Sequence, residues 1–232
     1  MSSSPHIDFD VIIVGAGLAG LGVALPLIEC GITRICILEA RTVGASFENW
    51  PKQLRLITPS FHSNPFRQPD LNAITIDTSP ADFIRSEHPT GKEYAAYLRS
   101  VVNHYQLPVR EGVNVGEITH HSTYFEVETS EEKLTAHYVI WAAGEFFYLL
   151  DDDFDGVEHC IHNIKIADWT QLEGDEFVII GGDPMPLDAY EDNGFLNEDL
   201  DCCTDCTCAI PSEATLPTAR AKRYAEVMKI IS

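Results

Sequence analysis

Apolar residues fall into short unbroken runs near the start of the chain and into looser, proline-punctuated spacing in its middle. "FDVIIV", ending just before Gly15, is a continuous β-branched run, as expected of a parallel strand buried on both faces. A glycine-rich turn follows. Next comes "LAGLGVALPLIECG", with apolar positions at helical spacing and Pro26 inside, which removes one helical hydrogen bond and should kink the segment. "RICILE" predicts a second buried strand ending at Glu39. Residues 42–88 are loop-rich and punctuated by Pro51, Pro59, Pro65, Pro69 and Pro80, with Pro89 just beyond. Trp50, Phe61, Phe66 and Phe83 supply apolar anchors, so this predicts a structured excursion able to wall a ligand. "HPTGKEYAAYLRSVVNHYQL" predicts a helix starting near Thr90 with Tyr94, Tyr97, Leu98, Val101 and Tyr105 on one core-facing side. "VREGVNVGEI", "STYFEVETS" and "KLTAHYVIWAAG" predict three strands, the last ending at Gly144 and returning the chain to the sheet.

The 45% hydrophobic content of the 232 residues is ample for a packed core. With 36 acidic against 15 basic residues the net charge is -21, which opposes binding to nucleic acid and to anionic membrane surfaces. No run is long enough to cross a membrane as a helix, and "MSSSPHIDFD" has no secretory signal pattern, which places the chain in the cytoplasm. Cys30, Cys36 and Cys160 are scattered while Cys202, Cys203, Cys206 and Cys208 cluster, so the cysteines outline no disulfide framework.

Gly15, Gly17 and Gly20 form G-x-G-x-x-G between the first strand and the first helix. The three glycines serve different ends, with a tight turn at Gly15, close approach of a pyrophosphate at Gly17, and close helix-to-strand packing at Gly20. The phosphates would meet the loop from Gly15 through Ala16, Gly17, Leu18 and Ala19 to Gly20, where free N–H groups and the helix dipole favour negative charge. Glu39 stands about 20 residues on, where a carboxylate accepts from both ribose hydroxyls, and Ala40 and Arg41 continue that edge. A glycine triplet alone is weak. Strand, glycines, helix, strand and terminal acid in register predict a dinucleotide site for FAD or NAD, because Glu39 would repel the 2′-phosphate of NADP.

These elements, with "GASFENWPKQLRLITPSFHSNPF", "EHPTGKEYAAYL" and "YVIWAAGEFFY", resemble the flavoproteins that carry two dinucleotide-binding domains. The nearest groups are flavin monooxygenases and pyridine nucleotide-disulphide oxidoreductase-like proteins. The resemblance covers residues 9–182. It implies an α/β fold: a Rossmann-like FAD-binding domain with a parallel sheet and a β-meander over residues 1–150. A linker and the first strand of an incomplete NAD(P)-binding unit would follow over 151–182, then a divergent acidic, cysteine-containing tail over 183–232. It further implies FAD at the first glycine loop, Ala143 and Gly144 near the same cofactor, Trp50 and Ser60 on the excursion toward the isoalloxazine, and Val115 facing adenine.

"GDEFVIIGG" reads as a strand entering a second glycine turn, but Asp183, Pro184 and Pro186 follow where a phosphate needs N–H donors. NAD(P)H is therefore expected as nominal electron donor with a defective site. The tail "DCCTDCTC" admits three readings: a thiolate site for Cu(I) or Zn(II), a disulfide-exchange element, or no function. Its crowded spacing assigns no metal site. His62, His159 and His162 are expected to be surface or hydrogen-bonded residues, and no catalytic residue stands out. Two functional classes remain. One is an FAD-dependent oxidoreductase acting on an unknown small molecule. The other is a non-catalytic flavoprotein remnant or FAD-binding interaction protein; in either class a second copy or a partner chain is expected to complete the fold.

Overall fold

The computed structural model describes residues 6–61, 70–82, 84, 86–148 and 156–173. β1 (Phe9–Val14) lies at the centre of a six-stranded sheet of order β3-β2-β1-β6-β5-β4. It pairs in parallel with β2 (Ile35–Glu39), Val14 beside Leu38, and on its other side with β6 (Lys133–Trp141), Val14 beside Trp141. Ile12 and Ile13 point to opposite faces and both are fully buried, which is why the run is continuous rather than alternating.

One face is covered by α1 (Leu18–Glu29) and α3 (Gly91–Tyr105): Leu21, Ala24, Tyr97, Leu98 and Val101 join Val11, Ile13 and Ile37 in one core. Pro26 sits inside α1, three residues before its end, and the helix continues through Glu29. α3 starts where expected, in a capping box. Glu93 N–H donates to the Thr90 hydroxyl at 3.3 Å and Thr90 N–H donates to the Glu93 carboxylate at 2.8 Å. The other face buries Ile12, Val14, Cys36 and Leu38 with Val113, Val127, Leu134 and Ala136.

"VREGVNVGEI" is not one strand. It divides into β3 (Val109–Glu111), parallel to β2 at one edge of the sheet, and β4 (Val115–His120) at the opposite edge. Between them Gly112 adopts φ +75° and Val113 packs among the core residues of the second face. The apolar run is thus used to cross from one edge to the other, which no local pattern distinguishes from strand. β4, β5 (Phe125–Thr129) and the start of β6 form the antiparallel meander.

The excursion after β2 contains α2 (Ala45–Glu48), which the proline spacing did not suggest. Phe47 packs between Trp50, tilted at 5.0 Å, and Tyr94, edge-to-face at 4.7 Å. Phe61 is exposed rather than an anchor, and Phe66 and Phe83 lie outside the described residues. Polar groups hold this region as well. Buried Asn72 donates from Nδ2 to the Thr58 carbonyl and to the Ser60 hydroxyl, both at 2.7 Å, while its Oδ1 takes the Thr58 hydroxyl. The α3 tyrosines complete the network: Tyr94 donates to the Asn72 carbonyl at 2.8 Å and Tyr97 accepts from Ile74 N–H at 2.9 Å. Burial raises the pKa of both phenols, so both stay protonated.

Residues 156–173 run through three 3₁₀ turns and dock on the excursion. Trp169 is buried there, and Asp168 accepts from Gln53 at 2.6 Å and pairs with Lys52 at 3.1 Å. His159 is exposed and His162 caps Ile164 N–H, as surface histidines do. His62, the strand expected before Gly181, Asp183, Pro184, Pro186, the four clustered cysteines and the final basic segment lie outside the described residues. Among the described residues no helix is long and apolar enough to cross a membrane.

Candidate dinucleotide site

β1, β2 and β6 are parallel where they adjoin, so Val14, Glu39 and Trp141 end at the same edge of the sheet. In open α/β sheets ligands bind outside such carboxyl ends. Gly15 leaves β1 with its N–H on the Leu38 carbonyl at 2.7 Å, while Ala142 N–H reaches the Val14 carbonyl at 2.8 Å, tying the three strand ends together. Gly15 has φ +107°, and a methyl there would strike the Ala142 carbonyl. A methyl at Gly20 would strike the Gly15 carbonyl. These two glycines are therefore demanded by packing within the chain.

Gly17 is different. It is the N-cap of α1 with φ -83°, open to an ordinary L-residue, and a methyl there would meet no atom within 4 Å. The space beside it is what a bound group would fill. No side chain caps this helix start and its first turn carries no acid, which leaves the first N–H groups, at Gly17, Leu18, Ala19 and Gly20, without a capping side chain. Leu18 and Ala19 are exposed. Together these features suit a negatively charged group at the helix N-terminus.

Glu39 lies beside that loop. Its Oε2 accepts from Ala16 N–H at 2.8 Å and its Oε1 from Arg41 N–H at 2.9 Å. One backbone donor per oxygen fixes the carboxylate and leaves each oxygen accepting capacity for a hydroxyl. The carbonyls of Glu39 and Arg41 accept from Val113 and Gly112 N–H at 2.9 and 3.1 Å, so β2's end is stitched to the turn after β3. Open room at Gly17, uncapped helix donors and a fixed carboxylate fit the pyrophosphate and ribose of a dinucleotide.

Of the predicted residues, the structure brings Gly15, Ala16, Gly17, Gly20, Glu39, Ala40 and Arg41 together around the ends of β1 and β2, with Ala143 and Gly144 directly after β6. Trp50 packs on Phe47 and against Gly91. Ser60 is buried, its hydroxyl turned to Asn72. Val115 packs in the cluster of Val14, Leu38 and Val113. Phe147 was missed: the Arg41 guanidinium lies 3.6 Å from its ring centroid. The only signal was an aromatic pair just after a glycine turn. Among the described residues no group of three or more His, Cys, Asp or Glu could hold a metal; Cys30 and Cys160 are exposed, and burial pushes the Cys36 thiol pKa up.

The chain is similar to several known proteins. The chain is 24% identical over 178 residues to the uncharacterized oxidoreductase CzcO of Bacillus velezensis, covering 75% of this chain and 48% of that one. It thus spans about half the length of the curated relatives it matches. A flavin-containing monooxygenase from Stenotrophomonas maltophilia superposes with a TM-score of 0.49 at 25% identity, over 60% of this chain and 39% of that one. A structure of OTEMO in complex with FAD and NADP superposes with a TM-score of 0.52 at 17% identity, over 66% of this chain and 28% of that one, and shares the fold. The model of the pyridine nucleotide-disulphide oxidoreductases matches residues 12–190, most of the sequence, and the chain belongs to that family.

Proposed function

We propose that this chain is the FAD-binding part of a flavin-dependent oxidoreductase, monooxygenase-like or disulphide-reductase-like, with electrons nominally from NAD(P)H. The observation that carries it is the pairing of open space at Gly17 with a carboxylate fixed at Glu39. When bound, FAD would supply the electron-carrying ring chemistry, while the protein supplies binding and orientation. The N–H groups at the start of α1 would hold the pyrophosphate and Glu39 the ribose hydroxyls of the adenosine half. Ala143 and Gly144, with φ +66° at Gly144, would line the opposite side. Small-molecule turnover in the cytoplasm is the setting this reading favours.

A second reading has its own support in the sequence. Asp183, Pro184 and Pro186 replace donors in the second glycine turn, which favours an FAD-binding protein with weak or no reduction by nicotinamide nucleotides. Reconstitution with FAD and a visible spectrum test the first reading. A retained yellow chromophore, lost on Glu39→Ala, is expected; equal retention by wild type and variant would overturn the site. Anaerobic mixing with NADPH and NADH separates the two readings: fast, saturable bleaching supports the oxidoreductase and slow bleaching the binding protein.

A further inference from the structure

Arg41 and Phe147 reach each other from the ends of two strands that are not neighbours. Arg41 follows β2, Phe147 follows β6, and β1 with its glycine loop lies between them in the sheet. Arg41 is exposed and Phe147 half-buried. Among the described residues the Arg41 side chain has no hydrogen-bond or ion-pair partner; its one contact of defined geometry places the guanidinium carbon over the Phe147 ring, 3.6 Å from the centroid. An exposed guanidinium without carboxylate partners ordinarily samples many rotamers, so a ring beneath it supplies orientation.

The backbone supplies direction. Along the site the order is glycine loop, Glu39, Arg41, because one Glu39 oxygen accepts from Ala16 N–H and the other from Arg41 N–H. A dinucleotide bound by pyrophosphate at the loop and ribose at Glu39 places its next group, the base, beside Arg41. A planar guanidinium has two faces. Phe147 lies against the guanidinium at 3.6 Å, and Arg41 is otherwise exposed, open to a flat π-system, on which Arg stacks well.

We infer that Phe147 is a positioning residue that holds the Arg41 guanidinium as a stacking platform for the adenine of the bound dinucleotide. The inference rests on the dinucleotide reading of the site. Arg41 touches the ligand; Phe147 acts through Arg41. A Lys at 41 keeps the charge and loses the plane, so it does not substitute.

The test uses the full chain stripped of bound flavin, with ADP binding followed by calorimetry and FAD binding by flavin fluorescence. Phe147→Ala weakens both by about three- to tenfold, the scale of one cation–π contact. Phe147→Tyr, which restores a ring, recovers the affinity, and Arg41→Lys loses about as much as Phe147→Ala. The double variant Arg41→Ala with Phe147→Ala loses no more than Arg41→Ala alone, because the two act as one unit. A merely structural role for Phe147 would lower the thermal midpoint and leave the two losses additive; that result overturns the inference, as does unchanged ADP and FAD affinity in Phe147→Ala. If wild type binds neither ADP nor FAD, the dinucleotide reading fails and this inference fails with it. If wild type binds both and the variants match it, the platform alone is wrong.

Discussion

The β1-α1-β2 unit and the excursion between β2 and α3 are stabilised by opposite means. In the first, β-branched residues bury against each other and only the glycines are constrained, Gly15 and Gly20 by carbonyls that leave no room for a methyl. In the second, the central buried group is an amide: Asn72 binds Thr58 and Ser60, while Tyr94 and Tyr97 reach in from α3. Apolar burial tolerates exchange at similar volume, whereas a buried polar network fails when one partner leaves another unsatisfied. The first region should therefore break by overfilling and the second by deletion.

The largest effect belongs to the glycine loop. Gly20→Ala forces a methyl into the Gly15 carbonyl and should destabilise the fold by about 3 kcal/mol. Gly17→Ala has open space and an ordinary backbone, so its stability should stay within about 0.5 kcal/mol of wild type. Yet the added methyl stands where a pyrophosphate approaches, and dinucleotide affinity should fall by more than about tenfold. Urea unfolding and FAD titration of the two variants separate packing from binding. Equal loss of stability in both would mean that Gly17 is a packing glycine too.

Asn72→Ala comes next. It leaves the Thr58 carbonyl and hydroxyl and the Ser60 hydroxyl without their partner, which should cost about 2 kcal/mol. Hydrogen exchange should rise around Thr58 and Ser60 and stay unchanged in β1 and β2. Exchange that rises everywhere would show that the excursion and the sheet unfold as one unit.

This contrast also decides what the sequence could reveal. β1, α1, β2 and α3 follow hydrophobic periodicity, and the α3 start announces itself through Thr90 and Glu93. The glycine loop and Glu39 were readable because close packing and ribose binding restrict residue type at fixed spacing. Asn72 was not, since one amide in a loop carries no period and its partners lie 12 or more residues away. The division of β3 from β4 was hidden for a related reason: Val113 is apolar because it crosses a buried face, not because it extends a strand. Phe147 depended on a partner 106 positions earlier, meaningful only once β2 and β6 flank β1.

The smallest expected effect lies where residues 156–173 fasten to the excursion, and it sharpens the comparison because that contact is charged. Hydrogen bonds from Gln53, then Thr170, then Lys52 hold the Asp168 pKa below its ordinary 3.8. A depressed folded-state pKa gives a contribution that is complete above the unfolded value and fades as pH falls through it toward the folded one. Docking should therefore be constant at neutral pH and weaken only below about pH 4. Trp169 is buried beside Asp168 and reports on it, once Trp50 and Trp141 are replaced by Phe. Its emission should shift to the red below that pH, before any change in far-ultraviolet circular dichroism from the sheet. Asp168→Asn removes the titrating group and turns an amide N–H toward Gln53 or Lys52, so the red-shifted emission should already be present at pH 7 and stay flat on acidification. A variant that still titrates like the parent would assign the transition to a different carboxylate.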